Sequence, residues 1–285
     1  MTVTSSSFMT GKMPSWCPGC GDFGIWTSLK DALAKLNIGV DDGVCIYGVG
    51  CHGNMYDWMK INAFVGLHGR TLPVAQAIKL ANHSLPVVVI SGDGDGLGEG
   101  GNHFIHAAKR NPDLTVVIHD NQVYGLTTGQ ASPAAKQGFV TKSTPQGVTD
   151  YPINPMALAL TAGATFIARG FAGDTPRLTE LMKMAIEHKG FSLIDVLQPC
   201  VTFDKIHTYM WYRERVYYLD ESHDKTNKVR AFEKAQEWGD KIPLGVFYQE
   251  SRPTAEELEG ALANGPLVKQ PVEPPAFGDL LKEFI

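Results

Sequence analysis

Three short apolar runs, each breaking off into glycine and polar residues, constrain this chain more than any other feature. Residues 44–49, 86–90 and 114–118 are apolar at nearly every position, so an extended chain there offers apolar side chains to both faces. Such runs suit strands that are covered on both sides. Between them lie segments of helical spacing. Ile25, Leu29, Ala32, Leu33 and Leu36 share one face over 22–36, with Asp22 placed to cap that helix and Gly39 to stop it. Further helices are expected over 72–81, 101–109, 155–162 and 175–188, and further strands over 164–168 and 192–197. The alternation predicts an α/β fold with a doubly wound, mostly parallel sheet, whose ligands sit beyond the carboxyl ends of the strands. Cys51, Asp93, Asn121 and Cys200 all fall at that edge.

Composition narrows the class of function. With 285 residues, 44% of them hydrophobic and 19% charged, the chain can bury a large core without disulfides or metals. No compositional break divides the first 205 residues, which are expected to form one domain. Residues 206–285, with a Tyr-rich stretch over 209–218, a polar helix over 228–238 and Pro266, Pro271, Pro274 and Pro275, are expected to be an irregular extension that wraps the core or contacts a partner. A net charge of −5, with Lys and Arg scattered, argues against nucleic acid as a partner. No stretch approaches the roughly 20 apolar residues of a membrane span, and the first residues lack the apolar core of a signal peptide. A cytoplasmic protein is expected.

Gly92-Asp93-Gly94, followed after 26 intervening residues by Asn121, is the sharpest local motif, and both parts end buried strands. Magnesium prefers oxygen ligands and commonly reaches a protein through one or two side chains plus phosphate oxygens. Asp93 and the Asn121 amide oxygen suit it. The glycines let backbone N–H groups approach a diphosphate, and a helix starting near Gly100 would add its positive end. This pattern resembles the thiamine-diphosphate enzymes. The resemblance implies Asp93, Asn121 and the carbonyl of Val123 as magnesium ligands, although by spacing alone Asp95 would serve as well as Asp93.

The five cysteines point to metal or redox chemistry. Cys17-Pro18-Gly19-Cys20 can present two thiolates to one centre, and Cys51 and Cys200 each follow a strand ending at the same sheet edge. Four thiolates suit either a cubane iron–sulfur cluster or a structural zinc, and spacing does not separate the two. Cys45, inside an apolar run, reads as core.

The whole set of motifs is similar to the β subunit of 2-oxoacid:ferredoxin oxidoreductases over roughly residues 13–205. It comprises Trp16-Cys17-Pro18-Gly19-Cys20-Gly21, Gly48-Val49-Gly50-Cys51, Leu67-His68-Gly69-Arg70, Gly92-Asp93-Gly94-Asp95, Gly101-Asn102-His103-Phe104 and Asn121 to Thr127. The resemblance implies one four-iron, four-sulfur cluster on Cys17, Cys20, Cys51 and Cys200, beside thiamine diphosphate and magnesium. It also implies cofactor contacts from Val49, Gly50, Cys51, His52, His68, Gly92, Gly94, Asp95, Gly125 and Leu126, with His68 and His52 as candidate catalytic groups.

The activity implied is oxidative decarboxylation of a small 2-oxoacid with coenzyme A, giving acyl-CoA, carbon dioxide and reduced ferredoxin, or the reverse. 2-Oxoglutarate is favoured over pyruvate or branched 2-oxoacids. A glutamate against the aminopyrimidine ring is expected on a separate α subunit that carries the pyrimidine-binding domain, in an (αβ)2 assembly. Two positions depart from many relatives: His52, where a small hydroxyl residue is common, and Thr128, where some have lysine. Two rival readings are a non-oxidative thiamine enzyme stapled by zinc, and a zinc-stabilised binding module for another phosphate ligand.

Overall fold

The computed structural model describes residues 2–271, 277–282 and 284. Pro274 and Pro275 lie outside them. Eight strands form one sheet in the order β2-β1-β3-β4-β8-β7-β10-β9. They are β1 (Val44–Tyr47), β2 (Asn62–Val65), β3 (Val87–Gly92), β4 (Leu114–Asp120), β7 (Phe166–Phe171), β8 (Phe191–Leu197), β9 (Val216–Tyr218) and β10 (Ile242–Gln249). The short strands β5 (Val123–Tyr124) and β6 (Gln130–Ala131) form a separate hairpin. Neighbours in the large sheet run parallel except β10 against β7.

The continuous apolar runs are explained by cover on both faces. Every residue of β3, β4, β7 and β8 is buried. Along β3, Val88 and Ile90 face a core shared with α1 (Asp22–Lys35) and α5 (Thr175–Glu187). Val87 and Val89 face the opposite core, shared with α2 (Thr71–Ala81), α3 (Gly101–Arg110), α4 (Pro155–Ala162) and α7 (Lys228–Ala235). Successive side chains of a strand point to opposite faces, so both sets must be apolar. Each such Val or Ile contributes about 1.5–3 kcal/mol by leaving water.

The sheet order places the ligand crevice. From β1 the chain crosses to β2 on one side, whereas β3 pairs on the other side and leads away to β4. The loops after β1 and β3 therefore diverge and leave a gap at their carboxyl ends, where doubly wound sheets bind ligands.

Several expectations need correction. The run 44–49 is a strand only to Tyr47, because Gly48 and Val49 turn into the crevice. Asp22 does not cap α1: Gly21 occupies the cap, and Asp22, in the first turn, bonds His119 Nδ1 at 2.7 Å. The helix expected from Gly100 begins much earlier. A turn of π-helix over Gly94–Glu99 leads straight into α3, and Asp93 caps it by accepting the Gly94 N–H at 3.0 Å. The positive end of this helical run thus opens at the Gly-Asp-Gly motif itself. After Lys205, β9 and β10 join the large sheet, and Tyr209–Arg213 forms α6. Pro243 and Gly245 within β10 had obscured its strand character.

Candidate functional site

The crevice contains a cavity of ≈ 210 Å³ between the loops that follow β1, β3 and β4. All ten residues expected to touch the cofactor line it, with Asp93, Asn121 and Val123, and so do Tyr124 and Thr127. Its floor is glycine. A side chain on Gly92 would come within 2.9 Å of the His52 ring, and one on Gly94 within 2.4 Å of the Tyr124 ring. These rings pack against bare backbone.

Asp93 is tied to the Asn121 loop. Its Oδ1 accepts from the Gly94 N–H, and its Oδ2 accepts from the Gln122 N–H at 2.8 Å and the Ser132 hydroxyl at 2.5 Å. Burial pushes its pKa up to about 7 despite these three donors, so a cation would strongly favour its charged form. Asn121 Oδ1 accepts the Val123 N–H at 3.0 Å, while its Nδ2 donates to Gln198 Oε1 at 2.9 Å. This arrangement leaves a second lone pair on Oδ1.

Asp95 faces the other way. Its Oδ1 accepts the Val49 N–H at 3.2 Å and the Gly69 N–H at 2.8 Å, and its Oδ2 accepts the Ser91 hydroxyl. It clamps the loops after β1 and β2 to β3. Space there is tight, since a Cβ on Gly48 would stand 1.9 Å from Asp95 Oδ2. Gly48→Ala is therefore expected to lower the thermal midpoint through a loss of about 1–3 kcal/mol from overpacking. A wild-type midpoint would mean that the clamp yields freely.

His52 is buried, and its Nε2 accepts the Gly92 N–H at 3.0 Å. Burial drives its pKa down to about 4. It is a neutral ring holding backbone. His68 is more open, with Nδ1 3.3 Å from Glu99 Oε2 and Nε2 3.8 Å from Asp95 Oδ1. Arg70 instead turns outward to His103.

Sulfur gathers beside this cavity. Cys17-Pro18-Gly19-Cys20 closes a turn through Cys20 N–H to Cys17 O at 2.9 Å, with Gly19 at φ +84°. Proline then glycine at the two central positions is the type II pattern. Trp16 Nε1 donates to Cys51 O at 2.7 Å, which fastens this turn to the loop after β1, and Gly21 N–H donates to Pro199 O at 3.1 Å, which fastens it to the loop after β8. A Cβ on Gly125 would lie 3.4 Å from Cys51 Sγ and 3.9 Å from Cys200 Sγ, so these two sulfurs flank one point at the cavity wall. Burial and neighbouring negative charge, including Cys200 and Cys17, push the Cys51 thiol up to about 12. Cys20 rises further for the same reasons, and Cys200 also rises. Such thiols ionise only beside a strong positive charge, as a metal centre provides. Among the described residues no three His, Cys, Asp or Glu side chains are close enough to hold a single metal ion. Cys45 lies fully buried in β1.

Local reading missed Trp16 as the strap on Cys51, Ser132 as a donor to Asp93, and Gln198 between Asn121 and Cys20. Only tertiary contacts mark them. No helix among the described residues is long and apolar enough to cross a membrane.

Comparison with known proteins agrees with this fold. Residues 48–196 match the family described as thiamine pyrophosphate enzyme, C-terminal TPP binding domain, and residues 200–264 match the C-terminal family of the pyruvate ferredoxin oxidoreductase beta subunit. A 2-oxoacid:ferredoxin oxidoreductase subunit beta from Saccharolobus solfataricus is 48% identical over 82% of this chain and 81% of its own. A subunit beta of 2-oxoacid:ferredoxin oxidoreductase 1 from Aeropyrum pernix is 42% identical over 98% and 90%. Among solved structures, the 2-oxoglutarate:ferredoxin oxidoreductase from Magnetococcus marinus, with 2-oxoglutarate, coenzyme A and succinyl-CoA bound, superposes with a TM-score of 0.90 at 35% identity, covering 99% of this chain and 95% of that one. With its thiamine-binding sheet and its terminal strands both matched, this chain belongs to the β subunits of the 2-oxoacid:ferredoxin oxidoreductases.

Proposed function

We propose that this chain, joined to an α subunit, carries out oxidative decarboxylation of a 2-oxoacid, 2-oxoglutarate above others, with coenzyme A as acyl acceptor and ferredoxin as electron acceptor, and that it can also run reductively. The observation that carries the reading is Cys51. Its loop lines the cavity next to Val49, Gly50 and His52, while its carbonyl is bound by Trp16 beside the Cys17/Cys20 turn. On this reading the loop that carries Cys51 would serve both the cofactor pocket and the cluster.

Asp93, Asn121 and the Val123 carbonyl are assigned to Mg2+, and their all-oxygen donor set suits it. Cys17, Cys20, Cys51 and Cys200 are assigned to one 4Fe-4S cluster. Bound thiamine diphosphate would supply the carbon nucleophile and electron sink for the 2-oxo group, and the cluster a one-electron exit. The chain's own residues do the rest. The π-turn opens its positive pole at Gly94, on the cavity lining, where it would favour a diphosphate. His52, uncharged, keeps Gly92 in place, and His68, set beside Glu99 and Asp95 on the cavity lining, is assigned to orient substrate or move a proton. The preference for 2-oxoglutarate is supported by the likeness to the Magnetococcus enzyme, while the Saccharolobus and Aeropyrum relatives carry the broader name 2-oxoacid.

The α subunit is the partner proposed to close this site in an (αβ)2 cytoplasmic assembly. Val49 and Leu126 line the cavity and are exposed, and Phe64, Val65 and Leu67, on β2 and the loop after it, are exposed as well, with Leu67 at 80%. Exposed apolar groups concentrated in this way mark a surface that another chain covers. The test is anaerobic purification of the assembled enzyme, a count of iron, sulfide and zinc, and turnover of a panel of 2-oxoacids with coenzyme A and viologen. Iron and sulfide in equal amounts, a broad band near 400 nm, roughly as expected for thiolate-bound clusters, and fastest turnover of 2-oxoglutarate are expected. A colourless zinc protein would overturn the reading.

A further inference from the structure

Gln198 is 2% exposed and stands between the two proposed centres. Its Oε1 accepts from Asn121 Nδ2 at 2.9 Å, and its Nε2 donates to Cys20 Sγ at 3.4 Å. The backbone holds it there: Gln198 N–H donates to Asp120 O at 2.9 Å, one residue beyond the β4–β8 ladder. Gly21 is what admits it, because a Cβ there would stand 2.6 Å from Gln198 Cγ and 3.1 Å from the Pro199 nitrogen.

We infer that Gln198 is a positioning residue that joins the cation site to the cluster, with one amide both setting the Asn121 oxygen and donating to the Cys20 sulfur. The inference rests on the assignments under Proposed function. Two consequences follow from the chemistry of the amide. By occupying Asn121 Nδ2, Gln198 fixes which end of that side chain faces the cation, since a flipped amide would present N–H groups to it. By donating to Cys20 Sγ, it favours the electron-rich state of a cluster held there, and hydrogen bonds to the sulfurs are among the factors that set cluster potential.

The two ends also communicate. A cation on Asn121 Oδ1 draws electron density and makes Nδ2–H a stronger donor to Gln198 Oε1. This polarises the Gln198 amide and strengthens Nε2–H towards Cys20, as in any hydrogen-bond chain. Filling the cation site should therefore raise the cluster potential, and by linkage reduction of the cluster should tighten cation binding.

The experiment uses the assembled αβ enzyme as wild type, Gln198→Met and Gln198→Glu. Potentials are read by EPR-monitored redox titration with and without Mg2+ and thiamine diphosphate, and cation affinity by calorimetry with Mg2+. Gln198→Met loses both hydrogen bonds. Its cluster potential should fall, its response to cofactor should shrink, and its Mg2+ dissociation constant should rise about 10- to 100-fold, as when the partners of metal ligands are removed. Gln198→Glu keeps an acceptor for Asn121 but has no donor for Cys20, so its potential should fall while Mg2+ affinity holds. A Met variant with wild-type potential and wild-type cofactor response, or a Glu variant that weakens Mg2+ as much as Met does, overturns the role of Gln198. Wild-type enzyme without iron and sulfide would instead sink the underlying site assignment and this inference with it.

Discussion

Purified alone and supplied with thiamine diphosphate, Mg2+, coenzyme A and 2-oxoglutarate, this chain should reduce neither ferredoxin nor viologen. Adding the α subunit should restore turnover from background to the enzyme's full rate. The reason is chemical and geometric. Generating the reactive carbon of thiamine requires a carboxylate against the aminopyrimidine ring, and the cavity's lining carboxylates, Asp93 and Asp95, are occupied elsewhere. Asp93 is held by Gly94, Gln122 and Ser132, and Asp95 by Val49, Gly69 and Ser91. Glu99 stands near the mouth but faces His68 and the Tyr124 hydroxyl. The edge strand β2 is exposed at all four positions, and Leu67 just after it is exposed too, so this side of the sheet is open to another chain. Steady turnover by the isolated chain would refute this division of labour.

The second large effect concerns sulfur. Cys51→Ala should abolish the visible band and, in the assembled complex, electron delivery to viologen, whereas Cys45→Ala should keep both and cost about 1 kcal/mol of stability. The contrast is decisive because the two residues are close in sequence and opposite in setting. Cys45 is enclosed in β1, fully buried within the apolar core that α1 and α5 cover. Cys51 lies beyond the strand, beside Gly125 and within the electrostatic reach of Cys17 and Cys200. Iron and sulfide analysis with visible absorbance, taken before any activity assay, checks the result. A Cys51→Ala protein that keeps its full iron content would remove that residue from the ligand set.

Much of the architecture was legible because burial leaves a local signature. The apolar runs at β1, β3, β4 and β8 and the helical spacing in α1 and α5 each follow from neighbours a few positions away. The polar residues at their ends fell at one edge because parallel strands all finish on the same side of a sheet. What escaped was of two kinds. Strand β2 is exposed at all four positions and so carries no burial pattern, and β10 contains a proline and a glycine that argue against a strand. The onset of the helical run at Gly94 was hidden by three glycines, which oppose helix locally and are tolerated where Tyr124, Ser91 and Pro133 leave no room for a side chain.

The site divides along the same line. Residue types and their order along the chain determined the fold class, the glycine-aspartate loop and the candidate quartet of cysteines, because these depend on composition and short-range spacing. Only the tertiary structure decided that Asp93 turns to the Asn121 loop while Asp95 ties Val49 to Gly69, that Trp16 straps Cys51, and that Gln198 reaches both Asn121 and Cys20. Each of those is a hydrogen bond between residues from 26 to 178 positions apart, and the direction of a side chain across such a distance is set by how the packed elements meet, which no local pattern encodes.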